Sequence, residues 1–284
     1  MPSPSPTRPL STDEVNRYSR QLLLPPPFGT PESLVTLFNS HLLIIGVGGL
    51  ASPLLLYLVG AGCISMTLVD GDTVDASNLH RQIIHSTEAA SSQELKVHSA
   101  ASRILSLNPT ANLTLIPNHF TPSNFASITA NFLATVPATS SACIVDCSDN
   151  PMTRYLINDA AFLSPTKLPV ISGASIATDG TLTIYNYRTP THTGPCYRCL
   201  YPSPPASCNT CSDAGVFGPV VGVVGTMQAI ETVKVLLNLD PDEYELLSGK
   251  IRIYDSLYGG SRYVQVNRDA SRIRAAMQTQ SAGS

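Results

Sequence analysis

The stretch LLIIGVGGLASP, residues 42–53, begins as a buried strand, breaks into a glycine turn and continues as a helix. Its pattern Gly46-x-Gly48-x-x-Ala51 fits the dinucleotide-binding fingerprint, which accepts Gly or Ala in its third place. A glycine turn at a helix N-terminus receives any pyrophosphate, because free backbone amides and the helix dipole both favour an anion there. The motif therefore predicts a nucleotide site and leaves the nucleotide unidentified.

The rest of the chain alternates strand and helix patterns around this turn. The apolar runs LLIIG (42–46) and SMTLVD (65–70) flank the first helix as a β-α-β unit, and SACIVDC (141–147) is a further buried strand. The run GTLTIYNY (180–187) alternates as an antiparallel strand does. The sequence predicts an α/β fold, a Rossmann-like parallel sheet extended by antiparallel strands, with flanking helices. The other predicted elements are helices near 94–107, 152–163 and 219–238, strands at 112–116 and 168–172, and a hairpin of 250–256 with 262–267.

The domain organisation follows from composition. No linker divides the chain, so we expect a single domain over residues 13–270. The Pro/Ser-rich start, residues 1–12, is typical of a disordered tail, and residues 271–284 look like a loose C-terminus.

Charge, hydropathy and cysteine content exclude several classes of protein. Charged residues make up 13% of the chain and the formal net charge is −3, which argues against a nucleic-acid partner. The start lacks the apolar segment of a signal peptide, and the stretch PLLLYLVGAGC (53–63) is too short to span a bilayer, so we expect no membrane partner. Seven cysteines without an export signal indicate a reducing, cytoplasmic compartment.

Charged residues downstream of the turn indicate which nucleotide is used. Asp70 ends the second strand, 24 residues after Gly46. An acid at this position accepts hydrogen bonds from ribose hydroxyls; the alternative is that it caps a turn. Arg81 and Lys96 follow. A substrate triphosphate, with about four negative charges, needs such cations more than a hydride-transfer cofactor does. Each cation taken alone would be an ordinary surface residue, but their shared neighbourhood favours ATP over a nicotinamide cofactor.

The segment DCSDN, residues 146–150, ends the next buried strand. Ligands of parallel sheets bind beyond the carboxyl ends of the strands, so Asp146 or Asp149 is expected to face the nucleotide. A carboxylate there could hold Mg²⁺ through water, because Mg²⁺ prefers few carboxylates plus phosphate oxygens. The alternative is that Asp149 or Asn150 caps the helix that begins near Met152.

Two C-x-x-C pairs, Cys196/Cys199 and Cys208/Cys211, lie eight residues apart in a Pro-rich loop. Two such pairs are the minimum for a closed tetrahedral Zn²⁺ site. A nucleophilic thiol in the same loop is the rival use, because a thiolate can attack an activated acyl group. The remaining thiols lie in helix or strand patterns as small core residues: Cys63, Cys143 and Cys147.

A series of motifs now resembles one family. In order, the chain carries RYSRQLLL, GVGGLASP, LVDGD, SNLHRQIIH, Lys96, DCSDNPMTRYLIND, GPCYRCLYPSPP, CSDAGVFGPVVGVVGTMQAIETVKVLL and YDSL. Over residues 16–258 the chain resembles the ThiF/MoeB-type adenylyltransferases that activate ubiquitin-like proteins, in particular eukaryotic activators of the molybdopterin-synthase and tRNA-thiolation kind. The resemblance implies a homodimer in which ATP adenylates the C-terminal Gly-Gly carboxylate of a ubiquitin-like partner, giving an acyl-adenylate and pyrophosphate.

The resemblance also implies roles for individual residues. It implies a nucleotide site in which glycines cradle ATP, an acid holds the ribose, and polar and cationic groups hold the phosphates: Gly46, Gly48, Gly49, Asp70, Asn78, Arg81 and Lys96. Asp149, with Asn150 beside it, resembles the acid linked to Mg²⁺, and Arg20 resembles an arginine that reaches the phosphates of the neighbouring protomer. The loop thiols divide into half of a zinc site, Cys196 and Cys199, and a cysteine that forms an acyl bond with the partner, Cys211.

The chain departs from the family pattern in several places. Ala51 replaces the third glycine, and the segment from Ser77 to Lys96 is slightly longer than usual. The family's second zinc pair lies near the C-terminus, and here no cysteine follows Cys211, so three arrangements stay open: zinc held by all four loop cysteines, no zinc, or an incomplete or intermolecular site. No rhodanese domain follows, so either the chain is truncated or a separate protein donates the sulfur.

Two rival functions share part of this pattern. A nicotinamide-dependent dehydrogenase would have the turn and Asp70 but no use for Arg81, Lys96 and DCSDN together. A non-catalytic scaffold subunit of a heterodimeric ubiquitin-like activator would lack the arginine and acid positions. Because those positions are filled here, we expect an active adenylyltransferase.

Overall fold

A single mixed sheet forms the centre of the computed structural model, which describes residues 8–204, 215–269 and 271. Within these residues the sheet has eight strands in the order β3-β2-β1-β4-β5-β6-β7-β8. The strands are β1 (His41–Ile45), β2 (Ser65–Val69), β3 (Asn112–Ile116), β4 (Ala142–Asp146), β5 (Val170–Ile176), β6 (Asp179–Tyr185), β7 (Lys250–Asp255) and β8 (Gly260–Gln265).

Strands β1 to β5 are parallel and β5 to β8 are antiparallel, which confirms the predicted fold class. The strand order reverses between β1 and β4, which pair in register from His41↔Ala142 to Ile45↔Asp146. Connections leave such a reversal in opposite directions, so a crevice opens beyond the carboxyl ends of the two strands. This end of the sheet is called the carboxyl edge below.

Helices cover both faces of the sheet. They are α1 (Thr12–Tyr18), α2 (Pro31–Phe38), α3 (Ala51–Gly60), α4 (Thr87–Ser91), α5 (Lys96–Leu107), α6 (Phe125–Thr135), α7 (Pro151–Leu163), α8 (Tyr197–Leu200) and α9 (Gly218–Leu236), with a 3₁₀ turn at Ala76–Asn78. Alternate side chains of β1 enter opposite cores: Leu42 and Ile44 pack with α3, α5 and α9, and Leu43 and Ile45 pack with α6 and α7. The continuous apolar run of β1 follows from this burial on both faces.

Helix α9 lies unusually close to its neighbours. A Cβ on Gly225 would lie 2.2 Å from the Leu50 carbonyl oxygen, and one on Gly218 would lie 2.4 Å from the His80 carbonyl oxygen. By length and composition α9 could cross a membrane, but here it packs on α3, β4, β5 and β6 with Val224 and Leu236 fully buried. The glycines therefore let this helix press against the segments that follow β1 and β2.

The structure extends the predicted boundaries at the N-terminus. Ser11 caps α1 by accepting a hydrogen bond from the Glu14 amide, and Glu14 forms an ion pair with Arg8. Residues 8–12 of the predicted tail are thus described, whereas residues 1–7 and 272–284 lie outside the described residues. The sequence predictions do not include helices α1, α2, α4, α6 and α8; α8 lies where the sequence predicts a loop.

Two glycines of α9 provide a matched test of this packing. Gly225→Ala should lower the free energy of unfolding by roughly 1–3 kcal/mol, because the new methyl group must displace the Leu50 backbone. Gly222 has nothing within 4 Å of its Cβ position, so Gly222→Ala should leave stability unchanged or raise it by up to about 1 kcal/mol. Denaturant unfolding of both variants tests this prediction. Equal changes in the free energy of unfolding would show that the close approach of α9 to Leu50 does not affect stability.

Candidate functional site

The glycine turn joins β1 to α3 at the carboxyl edge. Gly46 has φ +90°, and a Cβ there would lie 2.8 Å from the carbonyl oxygen of Cys147, which follows β4. Only glycine therefore fits where the ends of β1 and β4 meet. Among the described residues no side chain caps the N-terminus of α3. The Ser52 amide donates to the Gly48 carbonyl at 3.0 Å and Pro53 has no N–H, so the amides left for an anion are those of the turn that precedes them.

Asp70 braces this turn. One carboxylate oxygen accepts the Val47 amide at 2.7 Å, and the other accepts the Asp72 amide at 2.8 Å. The turn-capping alternative for Asp70 is therefore present in the structure. Each carboxylate oxygen has further acceptor capacity, so the predicted ribose contact remains compatible with this arrangement.

His85 lies against the glycine turn and is not among the residues predicted from the sequence. Its Nε2 lies 3.0 Å from the Val47 carbonyl oxygen and its Nδ1 lies 3.0 Å from Ser99 Oγ on α5. A carbonyl only accepts, so Nε2 donates to it and Nδ1 of the neutral ring accepts the Ser99 hydroxyl. Burial lowers the pKa of His85, as does the charge of Lys96, while the bond to Val47 raises it. The ring therefore links the turn to α5 as a neutral group.

Asn78 and Arg81 lie together in the loop after β2. Asn78 Oδ1 accepts hydrogen bonds from Arg81 Nη2 at 3.0 Å and from Gln82 Nε2 at 3.1 Å. Gln82 is buried beside the turn, since a Cβ on Gly48 would lie 3.4 Å from its Nε2. The structure thus brings the predicted phosphate-binding pair next to the glycine turn.

Lys96 is the first residue of α5 and is buried despite its charge. Its Nζ donates to Asp72 Oδ2 at 2.8 Å, in the loop that begins with Asp70. The lysine therefore reaches the carboxyl edge from the helix side, and its contact with phosphates stays a prediction.

The two acids after β4 have different environments. Asp146 is buried and accepts hydrogen bonds from the Ser148 amide and hydroxyl and from the Ser172 hydroxyl on β5. Asp149 is exposed and makes no hydrogen bond or ion pair with the part of the chain that the structure describes. Of the two acids, only Asp149 is accessible to a ligand.

Asn150 caps the next helix. Its Oδ1 accepts the Met152 amide at 2.8 Å at the N-terminus of α7, so the helix-cap alternative applies to this residue. Its predicted contact with ATP stays a prediction.

Arg20 lies at the other end of the sheet. The neighbouring Gln21 donates to the carbonyl oxygen of Ala61, which ends α3, whereas the glycine turn begins that helix. A ten-residue helix is about 15 Å long. The structure therefore does not bring Arg20 to the glycine turn of its own chain.

Cys196 and Cys199 form a buried pair away from the turn. Their Sγ atoms lie 3.6 Å apart, and the Asp269 amide donates to Cys199 Sγ at 3.3 Å. The hydrogen bond between the two thiols lowers the pKa of Cys199, against the effect of burial, and raises the pKa of Cys196. Arg198, between them, donates twice to Asp159 of α7.

The pair fits half of a zinc site by distance. Two thiolates of a tetrahedral zinc site with bonds of about 2.3 Å stand about 3.8 Å apart, close to the 3.6 Å seen here. Over residues 8–204, 215–269 and 271, no group of three or more His, Cys, Asp or Glu side chains is placed to hold a metal ion. Cys208 and Cys211 lie outside the described residues, and so do the predictions made for them.

Large apolar side chains are exposed at the carboxyl edge of β5 and β7. They lie at the end of β5 and in two loops that bond to the turn after β5. The Phe217 amide donates to the Ala177 carbonyl at 2.9 Å, and the Ser256 amide donates to the Thr178 carbonyl at 3.1 Å. Gly218, next to Phe217, lies against His80, so this surface adjoins the loop that holds Arg81. The exposed residues are Ile176, Phe217, Leu257 and Tyr258.

A family comparison matches most of the chain. The ThiF family model matches residues 18–274. An adenylyltransferase and sulfurtransferase uba4 of Ogataea parapolymorpha is 45% identical over 229 residues, 80% of this chain and 54% of the relative. An adenylyltransferase and sulfurtransferase MOCS3 of Drosophila grimshawi is 42% identical over 248 residues, 87% of this chain and 50% of the relative. The chain thus spans about half the length of the curated relatives it matches.

Solved structures support the fold. A crystal structure of PaaA matches with a TM-score of 0.70 at 20% identity, covering 92% of this chain and 76% of PaaA. A crystal structure of E. coli MccB with ATP matches with a TM-score of 0.67 at 20% identity, covering 90% of this chain and 73% of MccB. At this identity the likeness shows a shared architecture.

The neutral His85 makes stability pH-dependent. Because burial holds its folded-state pKa below the unfolded value of about 6.5, the unfolded chain takes up the proton first, and stability is lost as the pH falls through that value. We expect the free energy of unfolding of His85→Gln to vary less than that of wild type between about pH 7.5 and 5.5. The exposed His98→Gln, on α5 next to Ser99, should keep the wild-type pH dependence. Equal slopes for wild type and His85→Gln would contradict the assignment.

Proposed function

The chain belongs to the ThiF family, and from this premise we propose that it is an ATP-dependent adenylyltransferase. It would use Mg²⁺ and ATP to adenylate the C-terminal Gly-Gly carboxylate of a ubiquitin-like protein. The products are an acyl-adenylate and pyrophosphate. The names of both relatives begin with adenylyltransferase, which supports the transfer of an adenylyl group.

One observation carries the proposal: groups suited to a magnesium triphosphate meet at the carboxyl edge where the strand order reverses. The glycine turn supplies free amides, Arg81 and Lys96 approach from the β2 side, and Asp149 follows β4 without a partner among the described residues. A dehydrogenase needs no such set of cations around the cofactor phosphates. The buried Lys96 and the half-buried Arg81 favour a nucleotide that is consumed as a substrate.

The chemistry requires two anions to meet. A carboxylate oxygen attacks the α-phosphorus, a new P–O bond forms, and the bond to the pyrophosphate oxygen breaks. The chain would lower the repulsion by holding the phosphates against Arg81, Lys96 and the turn amides. The exposed Asp149 fits Mg²⁺, which prefers few carboxylates plus phosphate oxygens; when bound, the ion would supply charge neutralisation at the phosphates.

The apolar surface beside this site supports a protein partner. The side chains of Phe217 and Ile176 are 55% and 49% exposed. Gly218, next to Phe217, lies against the loop that carries Arg81. We propose that the ubiquitin-like protein docks on this surface and extends its C-terminal tail toward the α-phosphate. Burial of these side chains would supply affinity that does not depend on the tail.

The position of Arg20 supports a homodimer. Since this arginine lies about a helix length from the turn of its own chain, it could reach phosphates only from a second protomer. A site completed by the partner chain is consistent with the resemblance found in the sequence.

The cysteine loop has a structural role in this proposal. Cys196 and Cys199 would supply two zinc ligands, and Cys208 and Cys211 the other two, which would hold Cys211 as a ligand and blunt it as a nucleophile. The rival is a free Cys211 that forms an acyl bond. The relatives' names also include sulfurtransferase; because the chain spans about half of their length, we propose only the adenylyltransferase activity for it.

Loss of Arg81 or Asp149 should abolish most adenylation. We expect ATP–pyrophosphate exchange with a panel of Gly-Gly-ended ubiquitin-like proteins to fall roughly 10²–10³-fold in Arg81→Ala and in Asp149→Ala, by analogy with losing one contact to a transition state. The exposed Arg103→Ala, on the outer side of α5, removes the same charge as the matched control and should exchange as wild type does. Near-normal exchange in both site variants would refute the proposal.

Mixed dimers test the position of Arg20. Arg20→Ala and Asp149→Ala chains should each be poorly active alone, and a mixture should recover part of the activity, because one of the two sites in a mixed dimer keeps every group. Differently tagged chains allow the mixed species to be isolated before exchange is measured. Inactive mixed dimers would mean that Arg20 does not act across an interface.

A further inference from the structure

We propose that Asp72 is a positioning residue that holds the Lys96 ammonium at the carboxyl edge and thereby sets the affinity for the β- and γ-phosphates of ATP. The inference rests on the proposed function for the identity of the ligand. The contacts of the pair themselves come from the structure.

Lys96 needs a partner because it is buried. The residue is 7% exposed, and its Nζ donates to Asp72 Oδ2 at 2.8 Å, its hydrogen-bond acceptor in the part of the chain that the structure describes. An ammonium removed from water without a counter-charge is costly and changes its position or protonation. The Asp72 carboxylate therefore decides where the ammonium lies.

The helix start makes the need for this carboxylate stronger. Lys96 is the first residue of α5, where the positive end of the helix dipole disfavours a cation. The main chain fixes the pair as well, because the Lys96 amide donates to the Asp72 carbonyl at 3.0 Å and the Val74 amide donates to the Glu94 carbonyl at 2.8 Å. Two backbone links and one ion pair thus lock the β2 loop to the start of α5.

The same aspartate connects Lys96 to the glycine turn. The Asp72 amide donates to Asp70 Oδ1, and Asp70 Oδ2 accepts the Val47 amide. The Asp72 side chain is 52% exposed, and its other oxygen lies 3.7 Å from His119 Nε2. A phosphate arriving at the edge can therefore share the ammonium with Asp72 while the loop stays in place.

The test is a double-mutant cycle read by calorimetric titration with Mg²⁺–ATP and, separately, with AMP. Asp72→Asn and Lys96→Met should each weaken ATP binding about 10-fold or more, because a charge-assisted contact is lost. The double variant should be no weaker than Lys96→Met alone, because Asp72 acts through the lysine. AMP, which lacks the β- and γ-phosphates, should change less than about 3-fold in every variant.

Two further variants complete the design. Asp72→Glu keeps the charge and should recover much of the ATP affinity, which a general loss of folding would not allow. Glu94→Gln removes a negative charge two residues before Lys96 without a contact to its Nζ, and should bind ATP as wild type does.

The outcomes separate the inference from the proposed function. Additive losses in the cycle, an Asp72→Asn variant that binds ATP normally, or AMP binding that falls with ATP binding would overturn the role of Asp72 alone. Failure of the wild type to bind ATP would overturn the proposed function and this inference with it.

Discussion

The carboxylate of Asp70 is the constraint on which the rest of the site depends. It accepts one amide from the turn after β1 and one from its own loop after β2, at 2.7 and 2.8 Å. These two bonds fix the ends of neighbouring strands relative to each other. The Cys147 amide, which donates to the Ile45 carbonyl at 2.9 Å, does the same on the β4 side. Three strand ends are thereby held around one crevice before any ligand arrives.

Much of this arrangement could be predicted because its signals are local. The apolar runs of β1, β2 and β4 and the glycine turn between the first strand and α3 gave the parallel core, and alternation gave β6. Helices α1 and α2 were missed although their caps are readable: Ser11 with Glu14 forms a capping box, and Thr30 caps a helix that begins at Pro31. Both helices are short and lie outside the alternating pattern.

Other features depend on contacts that no local pattern reveals. Asp146 and Asp149 look alike in the sequence, yet Asp146 is buried and accepts a hydrogen bond from Ser172 of the adjacent strand, whereas Asp149 is exposed. The links of His85 to Val47 and of Lys96 to Asp72 join residues 38 and 24 positions apart. Such pairs appear only when the sheet has placed the strand ends side by side. The roles of these residues toward ATP remain predictions.

Burial of the strands decreases across the sheet, from β1 at its centre to β8 at its edge. Four of the five β1 residues are buried, whereas every residue of β8 is exposed. Among the strands that the structure describes, β8 pairs with β7 alone. Amide protons of β8 should consequently exchange with solvent through small local openings that leave β1 and β4 protected. The chain leaving β8 is tied by the Val266 amide to Gly249 and by the Asp269 amide to Cys199. The segment after β8 thus links the outer strand to the thiol pair.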